Sequence, residues 1–144
     1  MKRWSTFATL VFALHFAWEM SQAAWFASMR GLTFWRGTFA CARAALGDLV
    51  IVTIAFAVAA AVAKSASWPM ERRRPLAAIT FVLAGLAIVV AYEFFALRSG
   101  RWRYAETMPT LIGIGALPLL QWLLLPIIDV LLFRLIFRRG TSGR

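Results

Sequence analysis

Cysteine, histidine and acidic side chains are scarce in this chain, and each scarcity closes off a class of chemistry. A single cysteine, Cys41, allows no internal disulfide and offers no Cys pair for a metal or redox motif. It reads as a small buried residue near a helix end, with acylation as the alternative. One histidine, His15, among scattered carboxylates falls short of the ligand sets of zinc or haem, so neither a metal nor a cofactor is expected. No glycine-rich phosphate loop and no defensible Ser-His-Asp spacing occurs. Internal repeats, low-complexity stretches and domain-separating linkers are lacking too, and residues 1–144 fit one domain.

Apolar length and positive charge stand in their place. Of the 144 residues 62% are hydrophobic, and the mean hydropathy is +0.74. A soluble domain of this size leaves much of its area in water and has no room to hide so much apolar surface. Lipid can take it. The net charge is +10, from 16 Lys/Arg against six acids. The basic residues cluster between apolar runs, where they read as topology signals and headgroup contacts rather than as a nucleic-acid surface.

Four apolar segments, at about 4–28, 44–67, 76–97 and 110–133, each reach the ~20 residues that a helix needs to cross the hydrocarbon core. The expected fold is therefore all-α, an integral membrane four-helix bundle. With both ends inside, ten Lys/Arg fall on the cytoplasmic side and six opposite. This is the pattern of a multi-pass protein of the bacterial inner membrane. Trp4, Trp35, Trp68 and Trp102 fall near the interfaces, as an aromatic belt requires. Lys2-Arg3 and the small residues before Ala24 resemble a signal peptide, but the apolar run continues to Ser28 and favours an uncleaved helix. Alanine and glycine in the second and third segments let helices approach closely. Pro118 and Pro126 are expected to bend the fourth.

The informative residues are polar ones inside these segments, where ionisable groups cost several kcal/mol and usually serve something. His15, Glu19 and Gln22 are spaced i, i+4, i+7 and share one helix face. Asp48, early in the second segment, and Glu93, late in the third, fall in the outer half, and Gln121 falls near the middle of the fourth. Together with Trp18 and Trp122 they are expected to line one polar pocket in the outer leaflet. Asp129 is expected on the cytoplasmic side, paired with Arg134 or Arg138. A protonated acid in such a pocket can give a proton to an apolar substrate while a carboxylate takes one elsewhere. The plainer reading is that these groups pair and fix helix register. In the third loop, Arg101, Trp102, Arg103 and Tyr104 suit a lipid headgroup or ordinary interfacial anchoring, and Glu106 is expected to pair with an arginine.

Two resemblances add to this reading. His15-Phe-Ala-Trp-Glu19 with Gln22, Gly47-Asp48, Glu93, Gly100-Arg-Trp-Arg-Tyr104, Met108-Pro109 and Gln121 with Pro126 resemble an uncharacterised family of small bacterial four-helix membrane proteins. More distantly, His15 and Glu19 as H-x-x-x-E, an acid on the second helix (Asp48) and Trp122-Leu-Leu-Leu-Pro126 resemble the EXPERA domain of emopamil-binding sterol isomerases and the sigma-2 receptor. That likeness implies an intramembrane cavity in which Glu19 is the acid/base, His15 orients it and Asp48 stabilises positive charge on a substrate.

The expected function is binding of a hydrophobic lipid or isoprenoid, with isomerisation by proton transfer an extension that the residues leave open. The partners expected are a membrane lipid or hydrophobic small molecule and no nucleic acid, with a homodimer or larger membrane complex also compatible. The alternatives are a non-catalytic accessory subunit and a proton-coupled transporter.

Overall fold

A computed structural model describes residues 2–71 and 74–138. The described residues form four α-helices: α1 (Lys2–Gln22), α2 (Phe34–Ala63), α3 (Pro75–Arg98) and α4 (Ala116–Arg138). Each packs against the two that precede and follow it, and α4 closes the ring against α1. The all-α expectation holds. Of the four, α2, α3 and α4 are long and apolar enough to cross a membrane. The first has 21 residues and is less apolar than the other three, with His15, Glu19 and Gln22 in its second half.

Three boundaries depart from the hydropathy segments, each for a physical reason. First, α1 stops at Gln22 instead of Ser28. Residues 23–29 form two 3-10 turns about an extended Phe26, because this stretch pairs with the loop after α3. Ala27 N–H donates to the Arg103 carbonyl at 2.8 Å and Ala105 N–H to the Trp25 carbonyl at 2.8 Å. Second, α2 starts ten residues before the expected position, capped by the Thr33 side chain. Arg36 and Arg43 interrupt the apolar run, but arginine is a good helix former and does not end a helix. Third, α4 begins at Ala116. Before it, β1 (Thr110–Leu111) and β2 (Ile114–Gly115) make a tiny antiparallel hairpin. Its two turn residues, Ile112 and Gly113, both have positive φ, the backbone of a two-residue hairpin turn. Pro118 thus lies in the first turn of α4, where proline is tolerated, and only Pro126 is interior.

Small residues on one stripe of α2, including Ala45, Ala55 and Ala59, are fully buried. They allow the close helix approach that the composition suggested. At the end where Lys2 lies, Phe7, Phe56, Trp68, Phe81 and Phe133 interlock edge to face and tilted. Trp68 belongs to this core and is 1% exposed, so it is not part of an aromatic belt. Trp4 and Trp35 do stand exposed. In the turn after α2, Glu71 accepts from the Ser65 hydroxyl and from Arg74 Nε at 2.7 Å. Those two donors hold its carboxyl below the usual carboxylate range.

Candidate functional site

The outside of the bundle is largely apolar, and six polar side chains are buried beside its apolar core. Large aliphatic side chains such as Leu46, Val50, Leu83, Ile127 and Leu131 are exposed, while His15, Gln22, Asp48, Glu93, Gln121 and Asp129 are buried. Helix periodicity explains the second set. On α1, positions 11, 15 and 22 recur on the buried face; on α2, positions 41, 45, 48 and 52 do so. Each polar residue therefore replaces an apolar one in an inward stripe.

Five of these residues and Glu19 form one connected network. His15 sits between two aspartates: Nδ1 is 3.3 Å from Asp48 Oδ2, and Nε2 is 3.3 Å from Asp129 Oδ2. Gln121 Nε2 donates to Asp48 Oδ2 at 2.8 Å and lies 3.4 Å from His15 Nδ1. Gln22 Nε2 donates to Gln121 Oε1 at 3.2 Å and to Glu19 Oε1 at 2.8 Å. Trp18 Nε1 donates to Gln22 Oε1 at 3.2 Å, and the Trp122 ring lies 5.8 Å from His15. A neutral imidazole has one N–H, yet both ring nitrogens here face carboxylate oxygens. The contact between Nδ1 and Asp48, or that between Nε2 and Asp129, therefore needs a second proton, carried by the imidazole or by a carboxyl. Among the described residues no cluster of His, Cys, Asp and Glu is arranged to hold a metal.

The geometry corrects several expectations. Asp129 is not a surface partner of Arg134: it is 1% exposed and bonded to His15. Starting α4 at 110 instead of 116 misplaces it by about 9 Å along the axis. Arg134 Nε instead donates to the Pro69 carbonyl at 2.6 Å, and the Arg138 side chain lies outside the described residues. Among the described residues His15 makes no hydrogen bond to Glu19; Gln22 donates to that carboxyl, and His15 lies between the two aspartates. Nor is Cys41 at a helix end. It is buried in the α2 stripe, with its thiol 3.6 Å from the Glu19 carbonyl.

Glu93 is brought close to the network but bonds elsewhere. Its Oε2 accepts from Trp102 Nε1 at 3.2 Å and from the Tyr104 hydroxyl. Burial first, and then the Glu93 carboxylate, push the Tyr104 phenol above its ordinary range, which keeps it a donor. So Trp102 and Tyr104 turn their polar groups inward, away from any headgroup, while Arg101 and Arg103 stay exposed. Arg101 lies over the Phe95 ring at 5.0 Å. Glu106 is exposed and makes no ion pair among the described residues. Glu93 thus ties down the loop that pairs with residues 25–27. Tyr104→Phe is expected to cost about 1.5–3 kcal/mol locally, the worth of a hydrogen bond to a charged group. Roughly ten- to hundredfold faster amide exchange at Ala27 and Ala105 is the readout, and unchanged exchange would refute the latch.

Compared with protein-family models, curated proteins and solved structures, the chain matches none.

Proposed function

We propose that this chain is a four-helix protein of the bacterial inner membrane, with both ends in the cytoplasm. We propose further that it binds a hydrophobic lipid or isoprenoid beside Glu19 and can shift a double bond in it by proton transfer. The carrying observation is the six-residue polar network inside a bundle whose outside is aliphatic. Buried ionisable groups in such a setting are costly and commonly functional. Glu19 is the one acid of the network that is only half-buried, and so the one that a ligand can reach without opening the core. The distant EXPERA likeness points to the same residue.

The step balances on Glu19 alone. Its carboxylic acid gives a proton to one alkene carbon, and the carboxylate so formed takes a proton from the carbon on the other side of the cation. The double bond moves, and the acid is restored without a redox change. The aspartates behind it supply negative charge near the developing cation. A second reading, a non-catalytic membrane subunit, is favoured by one observation: the other five members are buried and largely satisfy one another.

Lipids retained by the protein in a mild detergent separate the two. Mass spectrometry is expected to find a specific isoprenoid or polycyclic lipid with the native protein, and at least tenfold less with folded Glu19→Gln. Only bulk phospholipid in both samples would transfer the assignment to the subunit reading.

A further inference from the structure

The outward face of α3 changes character in its last turns. Ala91, Phe94, Phe95, Arg98 and Ser99 follow the spacing i, i+3, i+4, i+7, i+8 and so share one stripe of the helix. They line a hollow of about 490 Å³. The stripe points away from the bundle: Phe94 and Phe95 are 39% and 52% exposed, and Ala91, Arg98 and Ser99 are exposed too. A small residue at 91, below two rings, leaves the space. Ala87 and Leu83, also exposed, continue the stripe one and two turns deeper. No acid lines the hollow. Glu93 lies on the buried face of α3, bonded to Trp102 and Tyr104.

The end of the helix brings positive charge to this place. Ser99 N–H donates to the Phe95 carbonyl at 2.9 Å, Gly100 N–H to that of Leu97 at 3.2 Å and Arg101 N–H to that of Ala96 at 2.9 Å. With Gly100 at φ 68°, this is the left-handed reversal that commonly closes helices. It turns the chain back, and the Arg101 guanidinium comes to rest 5.0 Å from the centre of the Phe95 ring, where cation and ring face attract. Arg98 and Arg101 therefore both border the hollow, one in its wall and one on a wall residue. The carbonyls of Phe95, Ala96 and Leu97 are already taken by backbone N–H groups, so neither arginine is needed to cap them. Nor has either an ion pair among the described residues. Their two charges exceed the partial negative charge of a helix end, about half a unit.

We propose that this hollow is a site for an anionic phospholipid. Arg98 and Arg101 hold the phosphodiester, and an acyl chain lies over Phe95 and Ala91 toward Leu83. Guanidinium groups suit a phosphate, and the apolar stripe that begins directly below them favours a lipid over a free anion. The site differs from the headgroup segment expected at 101–104, because Trp102 and Tyr104 face inward and Arg98 takes their place. It is separate from Glu19 and goes beyond the isoprenoid reading, sharing with it only a place in the membrane.

Native mass spectrometry in a mild non-ionic detergent tests this with phosphatidylglycerol and phosphatidylcholine of the same acyl chains. A one-to-one adduct is expected for phosphatidylglycerol, roughly tenfold tighter than for phosphatidylcholine, whose choline offsets the phosphate charge. Arg98→Gln with Arg101→Gln should remove that preference. Arg30→Gln with Arg103→Gln takes the same charge from exposed residues outside the hollow, and should keep it. Ala91→Phe fills the hollow from an exposed position and should weaken both lipids in a folded protein. Equal binding of the two lipids would overturn the proposal, and so would a control pair that loses as much as the Arg98 and Arg101 pair. Inorganic phosphate that displaces the lipid at equal concentration would mark a free-anion site instead. Undiminished binding to Ala91→Phe would remove the acyl chain from the hollow. Glu19→Gln keeps the two readings apart: the phosphatidylglycerol preference should survive there whether or not isoprenoid retention does. Its loss in that variant would place the anionic lipid at the polar network and reject the hollow.

Discussion

Replacing His15 by leucine is expected to cost the folded bundle about 3–5 kcal/mol, the usual penalty for removing one partner of a buried charged pair. The ring is fully buried and touches an aspartate on each side at 3.3 Å. Leucine fills the volume but leaves Asp48 and Asp129 facing each other without the proton donor between them. Asp129 has little in reserve, since its Oδ1 has no partner among the described residues. Gln121 can still donate to Asp48, but among the described residues no comparable donor reaches Asp129. Unfolding in a detergent series, followed by circular dichroism, measures the loss. Neutralising both aspartates in the same chain, as His15→Leu with Asp48→Asn and Asp129→Asn, should recover most of it. A single variant as stable as the native protein would mean that His15 is not the bridge. The triple variant also bears on function: folded protein that still retains its lipid would confine His15 and the aspartates to a structural part.

The inward face of the first helix was legible from spacing alone, because His15, Glu19 and Gln22 obey helix periodicity whatever surrounds them. Asp48 and Gln121 were legible from their depth in the second and fourth segments, and Trp122 from the Trp122-Leu-Leu-Leu-Pro126 string. Asp129 was not. Its depth depended on where α4 starts, and that start is set by a hairpin whose positive-φ turn falls on Ile112, a β-branched residue that gives no turn signal. The early end of α1 was likewise hidden. Nothing between Ala23 and Met29 breaks a helix, and the stretch is diverted only by pairing with residues 103–105, far along the chain. Counting apolar residues places membrane segments, but charges such as Arg36 end an apolar run without ending a helix. The beginning of α2 was missed on that account.

Gly85→Val is expected to prevent assembly of the bundle, and Gly85→Ala to destabilise it by about 1–3 kcal/mol through overpacking. On an exposed helix, glycine to alanine would gain up to about 1 kcal/mol. Here steric overlap decides the sign. A Cβ at Gly85 would run into the six-membered ring of Trp122, closer than real contacts allow. That ring is 1% exposed and has His15 on another side, at 5.8 Å between centroids, so it cannot swing away without disturbing the polar network. Gly85 is therefore what lets α3 approach α4 closely enough for Trp122 to wall in the imidazole. Gly47→Ala is the matched control. It too lies inside a helix, nothing stands within 4 Å of the added carbon, and that variant should hold or gain stability. Trp122→Phe, which shortens the ring on the Gly85 side, should rescue much of the Gly85→Ala defect. If Gly85→Ala instead behaves like Gly47→Ala, the close approach of α3 and α4 at Trp122 is wrong. The placement of His15 between the aspartates would then lose its support on that side.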